Sequence, residues 1–176
     1  MPTQWIEMAH AGADSPAQPR GAVTVILGIG NTLLADEGAG IHVIDRLRAE
    51  GGLDDGVDLV DGGTLSFFLA RTIEDADKLI VVDAAEMGVS PGSVRVYEGE
   101  QMDAFLGSNR KRSVHEVGLI DLMAMAALAG RLPERRALIG IQPKSVDWSV
   151  VPSAPVAEAI PKACKHAFEL LEKWQG

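Results

Sequence analysis

From Val23 to Ile141 the chain repeats one pattern: a short, nearly unbroken apolar run stopping at a glycine or an acidic residue, then a stretch with helical apolar spacing. A strand that is apolar on both sides must be covered on both faces, and parallel strands need crossovers long enough to hold a helix. The predicted inner strands are Val23 to Gly28, Val57 to Asp61, Lys78 to Asp83 and Ala137 to Ile141. Ser93 to Glu98 differs, because Val94 and Val96 alternate with Arg95 and Tyr97. That period of two belongs to a strand with one wet face, placed at a sheet edge. The pattern predicts an α/β fold in three αβα layers, with a twisted, mostly parallel five-stranded sheet, one antiparallel edge strand, and helices on both faces.

Three apolar stripes mark the longer helices. Ile41, Ile44 and Leu47 form the first, and Leu119, Leu122, Met123 and Ala126 the second. The third runs through Val156, Ile160, Ala163, Ala167, Leu171 and Trp174, with Pro161 inside it predicting a kink or a late start. Residues 1–20 hold Pro2, Pro16 and Pro19 and show no apolar period, so they read as a flexible leader before a single domain spanning 21–176.

The balance of charge narrows the partners. Sixteen Lys and Arg against 25 Asp and Glu give a formal net charge of −9, which argues against nucleic acid and anionic membranes. A single cysteine, Cys164, excludes an internal disulfide and a cysteine-rich metal centre; its place on the apolar side of the last helix predicts a buried, inert thiol. No run of about 18 apolar residues is present, and no basic stretch followed by an apolar h-region opens the chain. The expected location is the cytoplasm.

Candidate chemistry lies where the strands end. The first strand runs into Gly28-Ile29-Gly30-Asn31, but Leu33 occupies the third glycine of a dinucleotide fingerprint and Asp61 lies well beyond the offset of a ribose-binding acid. Gly28 and Gly30 therefore read as a tight turn leaving a strand. Asp36 and Glu37 stand at the start of the next helix, where Asp36 is expected to serve as an N-cap. Asp61, followed by Gly62-Gly63-Thr64, and Asp83 end two further strands on the same side, since an open parallel sheet gathers its carboxyl ends into one crevice.

Of four histidines, His10 falls in the leader and His42 and His166 within helical segments. His115 lies in Ser113-Val114-His115-Glu116, the spacing of a capping box, which holds it in the first turn of a helix. A helix N-terminus disfavours the imidazolium, leaving a neutral ring able to bind metal. Two carboxylates and an imidazole from separate loops, Glu37, Asp61 and His115, make a donor set suited to a divalent transition metal, with open positions for catalysis or for a metal held by a partner. The same three are the candidate catalytic residues. His115-Glu116 opens like a zincin helix, but Leu119 replaces the second histidine, and no GxSxG elbow occurs. Arg110-Lys111-Arg112, just before His115, is a basic run; such a run is usually a solvated face, and the alternative reading is contact with a partner's carboxylates.

These residues resemble a known family. Ile26-Leu27-Gly28-Ile29-Gly30-Asn31 with Leu33-Leu34 and Asp36-Glu37-Gly38, then Asp61-Gly62-Gly63-Thr64, Val82-Asp83-Ala84, Ser113-x-His115 with Gly118-Leu119, and Gly140-Ile141-Gln142-Pro143 follow the order seen in hydrogenase maturation endopeptidases. The similarity extends over about residues 23 to 175. The resemblance implies removal of a short C-terminal extension from the large-subunit precursor of a nickel–iron hydrogenase after nickel insertion. It implies Glu37, Asp61 and His115 as metal ligands, with nickel carried by the precursor and zinc or cadmium able to substitute in vitro. Asp83 would then orient a ligand, and the backbone of Gly62 and Gly63 would line the peptide. The rival readings are a nucleotide-binding or chaperone module built on the Gly28/Gly30 turn, and a metallopeptidase that keeps its own metal.

Overall fold

The computed structural model describes residues 22–109 and 114–175, with the backbone alone for Asn109 and residues 114–117. The expected leader and Arg110-Lys111-Arg112 lie outside the described residues, as does Ser113 of the capping box.

Five strands form one sheet: β1 (Thr24–Gly28), β2 (Val57–Asp61), β3 (Lys78–Ala84), β4 (Val94–Glu98) and β5 (Arg135–Ile141). Their spatial order is β2-β1-β3-β5-β4; every neighbour pair is parallel except β4 with β5. The antiparallel strand is at an edge, as its alternation predicts, but β2, expected among the inner strands, is the other edge: Asp58 and Asp61 are exposed and interrupt its apolar run. Alternate residues of each central strand face opposite layers. Ile26, Ile80, Val82 and Ile139 pack with α1 (Ala39–Glu50) and α5 (Ala154–Gln175). Val25, Leu27, Leu79, Val81 and Leu138 pack with α2 (Leu69–Glu74), α3 (Glu100–Asn109) and α4 (Val114–Leu128). Two separate cores, one on each face, are the physical content of the three layers.

The structure adds two helices that periodicity does not show. α2 has six residues, too few for a stripe, and the first turns of α3 offer the core only Met102 and Leu106 at full burial. α3 also corrects the reading of β4. Arg95 is exposed as expected, but Tyr97 is not on a wet face: its ring stacks on Phe105 of α3 with centroids 4.2 Å apart. Pro161 does not delay α5, which starts at Ala154 and runs through the proline to Gln175. The proline is exposed, so its ring sits on the solvent side. Cys164 is buried in the α1/α5 layer, and that burial pushes its pKa up to about 11. Among the described residues no helix is long and apolar enough to cross a membrane.

Candidate active site

Chain connection moves from β1 outward to β2 and then back across to β3, so the carboxyl edge between β1 and β3 is the point where the sheet's winding reverses. Ligands commonly enter there, and the loop leaving β1 determines what room they find. Here the protein's own backbone fills it. A Cβ on Gly28 would stand 2.5 Å from the Gly40 carbonyl oxygen and 2.4 Å from Ile44 Cγ1. One on Gly30, whose φ is +147°, would stand 2.0 Å from the Glu37 carbonyl oxygen. The two glycines let a 3-10 turn, Ala35–Gly38, and the start of α1 press onto the loop. They are not a cradle for a pyrophosphate, and the nucleotide-binding reading loses its geometric basis.

The same contact brings two candidate residues toward each other. Gly30, against the Glu37 backbone, also donates its N–H to the Gly63 carbonyl at 2.8 Å, and Gly62 N–H donates to Gly28 O at 2.8 Å. These bonds continue the β1/β2 pairing past the strand ends, where Asp61 is in register with Gly28. Glu37 is half-buried, whereas Asp61 is exposed and accepts a 2.9 Å hydrogen bond from Gly63 N–H, which fixes the turn after it.

His115 is the second residue of α4, in its first turn as predicted. One turn on, a Cβ added to Gly118 would meet Leu65 Cδ1 at 3.3 Å, so glycine there lets α4 lie close to the loop that follows Asp61. The structure thus gathers the backbone segments of all three candidates at one edge. Among the described side chains, which do not include that of His115, no three His, Cys, Asp or Glu form a group able to hold a metal ion. Asp83 does not end its strand but is the penultimate residue of β3, buried at 1% exposure. His42 and His166 lie on α1 and α5, and His166 Nδ1 is 2.9 Å from Glu169 Oε2.

Asp36 requires a correction. It caps no helix: the residue preceding the 3-10 turn is Leu34, without a side-chain cap, and α1 follows Gly38. Asp36 is instead fully buried at 0% exposure and holds a strap, residues 143–153, that joins β5 to α5. Its Oδ2 accepts from Lys144 N–H at 2.8 Å, Ser145 N–H at 2.9 Å and the Ser153 hydroxyl at 2.8 Å, and its Oδ1 accepts from Ser153 N–H at 2.6 Å. Burial acts to raise its pKa. The backbone N–H groups of Ser145, Ser153 and Lys144 and the Ser153 hydroxyl outweigh that effect and hold the carboxyl below its ordinary value. Its backbone partners and those of Ala35 extend the clamp: Ala35 N–H donates to Ser149 O at 2.7 Å and Asp36 N–H to Ser145 O at 3.1 Å. Ala35 holds a φ of +45°, a conformation costly for a residue with a Cβ and sustained here by these flanking bonds. Glu37 therefore follows a segment whose backbone is tightly determined.

Next to Asp61 opens a groove of about 740 Å³, lined by residues Thr64 to Phe68 and by Gly118, Asp121 and Leu122 of α4. Phe67 and Phe68 are both exposed, Phe68 at 92%. Both walls grow from elements that carry a candidate residue, the loop after Asp61 and the helix that begins beside His115.

A family model described as hydrogenase maturation protease matches residues 41–170. The hydrogenase expression/formation protein HupD of Rhizobium leguminosarum bv. viciae is 38% identical over 160 residues, covering 90% of this chain and 77% of that protein. The chain belongs to the hydrogenase maturation protease family. Among solved structures, the hydrogenase maturating endopeptidase HybD from E. coli superposes with a TM-score of 0.81 at 28% identity, covering 86% of this chain and 93% of that one. HybD from Thermococcus kodakarensis gives a TM-score of 0.69 at 28% identity, over 84% and 98% of the two chains.

This hydrogenase maturation protease is accordingly a peptidase, a hydrolase on the mixed αβα sheet expected from its sequence. Sequence reasoning missed two parts of its candidate site. The groove was signalled only by adjacent Phe67 and Phe68 in a polar loop of a chain with four phenylalanines. The clamp at Asp36 had no local signal, since its partners lie 108 to 117 residues away.

Proposed function

We propose that this protease removes the C-terminal extension of a nickel–iron hydrogenase large-subunit precursor once nickel has been inserted, and that it recognises the precursor's nickel through Glu37, Asp61 and His115. The observation that carries the reading is the pairing of Gly30 with Gly63 and with the Glu37 backbone, which sets the loops bearing Glu37 and Asp61 side by side, the loop after Asp61 going on to form one wall of an apolar groove. Two carboxylates and an imidazole are donors suited to a divalent transition metal and leave coordination positions to the substrate. Nickel belongs to the substrate in this reading, and when present it polarises the reacting groups. The protein's own part is positional. Its three side chains hold the precursor so that the scissile peptide is within reach of water, which a carboxylate activates. The groove beyond Asp61 receives extended chain next to the cut, with Phe67 and Phe68 against its apolar side chains.

The test is anaerobic incubation of the protease with nickel-loaded and nickel-free precursor, followed by intact-mass spectrometry. Loss of one C-terminal peptide from the nickel-loaded form alone is the expected result, abolished by Glu37→Ala, Asp61→Ala or His115→Ala. Equal cutting of the nickel-free precursor, or no cutting of verified nickel-loaded precursor, overturns the reading.

A further inference from the structure

The strap between β5 and α5 is ordered by its backbone and apolar at its surface, an unusual pairing. Asp36 grips it at Lys144, Ser145 and Ser153. Ser149 pairs with the β1 loop in both directions, donating to Leu33 O at 3.0 Å and accepting from Ala35 N–H. Two local turns fix the rest: the Ser145 hydroxyl bonds Asp147 Oδ2 at 2.6 Å, and the Ser149 hydroxyl bonds Val151 O at 2.9 Å and Val151 N–H at 3.0 Å. On this backbone Val146, Trp148, Val150 and Val151 all point their bulk to solvent, Trp148 with 82% exposure, and Leu33 is exposed on the strand of backbone paired with them. A connector that only joined two elements would gain nothing by showing a tryptophan and three valines to water. Held rigid, the same residues lose little freedom on meeting a partner, and tryptophan is the side chain most enriched among interface anchors.

We propose that the strap, with Leu33, is a docking surface for the folded body of the precursor, with Trp148 as its anchor. The inference rests on the proposed function for the partner's identity. Location decides among occupants. The strap is bonded to residues 33–36, of which Leu33 is exposed, so a partner resting on the strap and Leu33 lies four residues from Glu37 in the chain. That contact delivers a substrate to the site, whereas a second copy of this chain would obstruct it. The groove at Phe67 and Phe68 lies on the Asp61 side of the same edge. Extended chain in the groove and folded body on the strap would grip the precursor on both sides of its metal centre.

The experiment compares wild type, Trp148→Ala and Val151→Lys for affinity toward nickel-loaded precursor, by biolayer interferometry, and for cleavage rate at saturating precursor. Each variant is expected to weaken affinity about tenfold or more, with the saturating rate and the unfolding midpoint unchanged. Unaltered affinity in both folded variants overturns docking while a cutting wild type keeps the proposed function. A lowered saturating rate at unchanged affinity also overturns it, placing these residues inside the reaction. A wild-type dimer that Trp148→Ala dissociates in sedimentation velocity, with precursor affinity unchanged, assigns the surface to a second copy and overturns it too. Should wild type neither bind nor cut verified nickel-loaded precursor, the proposed function fails and this inference falls with it.

Discussion

Replacing Asp36 isolates one buried carboxylate on which the strap depends. Four donors converge on it, three of them backbone N–H groups and one the Ser153 hydroxyl. A hydrogen bond to a charged group contributes about 1.5–3 kcal/mol, so adding four would give an upper bound of about 12 kcal/mol. The strap lies at the surface, and once released its amides can turn to water, so Asp36→Ala is expected to cost about 3–5 kcal/mol. For a chain of this size that is a fall of about 6–20 °C in Tm. Asp36→Asn is the finer probe. Oδ2 serves three donors and Oδ1 one, and an amide has a single acceptor oxygen, so Asn faces at least one N–H with another and should lose about 2–3 kcal/mol. The sign with pH follows from the lowered pKa. A carboxyl held below its ordinary 3.8 contributes its stability in full above that value and loses it as pH falls through the lower folded value. Urea unfolding of wild type and Asp36→Asn should therefore show a constant gap from pH 7 to 5 that narrows below about pH 4. Amide hydrogen exchange at Lys144, Ser145 and Ser153 should accelerate in the variant. A gap under about 1 kcal/mol for Asp36→Ala at pH 7, or one that does not narrow in acid, would refute the reasoning.

Other outcomes follow from single contacts. Gly30→Ala puts a methyl 2.0 Å from the Glu37 carbonyl at a φ of +147°, and should lower stability by about 2–4 kcal/mol in urea titration. With its pKa near 11, Cys164 is about 0.1% thiolate at pH 8, and iodoacetamide should label it only after unfolding. Pro161→Ala restores a donor in the interior of α5 and should raise stability by about 1–3 kcal/mol, read from the urea midpoint. Phe68→Ala, at a nearly fully exposed position, should leave the Tm within about 2 °C of wild type while slowing precursor cleavage several-fold.

Much of the fold was legible because burial on two faces leaves a local mark. Apolar runs such as Val23 to Gly28 and Lys78 to Asp83 can be satisfied only inside a covered sheet, and the alternation of Val94 and Val96 with Arg95 marks an edge. Tyr97 misled because its partner, Phe105, belongs to α3, a helix whose stripe of two fully buried residues is too sparse to read. Of the candidate residues, Glu37, Asp61 and His115 could be named from motifs because each stands beside a chain-local signal: a glycine turn, a strand end or a capping spacing. Asp36 was misassigned for the complementary reason. An acidic residue before a helix resembles an N-cap, and nothing nearby in sequence tells that its acceptors are claimed by Lys144, Ser145 and Ser153.

The sequence by itself determined the order and kind of the main elements, the faces they bury, and the edge at which the candidate residues collect, because periodicity and strand ends are properties of neighbouring residues. Only the tertiary structure decided that Gly28 and Gly30 admit the protein's own backbone instead of a phosphate, that Asp36 clamps a distant strap, and that Phe67, Phe68 and Trp148 stay in solvent. Each of these depends on which atoms of other segments occupy a space, and close packing between segments has no period for a sequence to display.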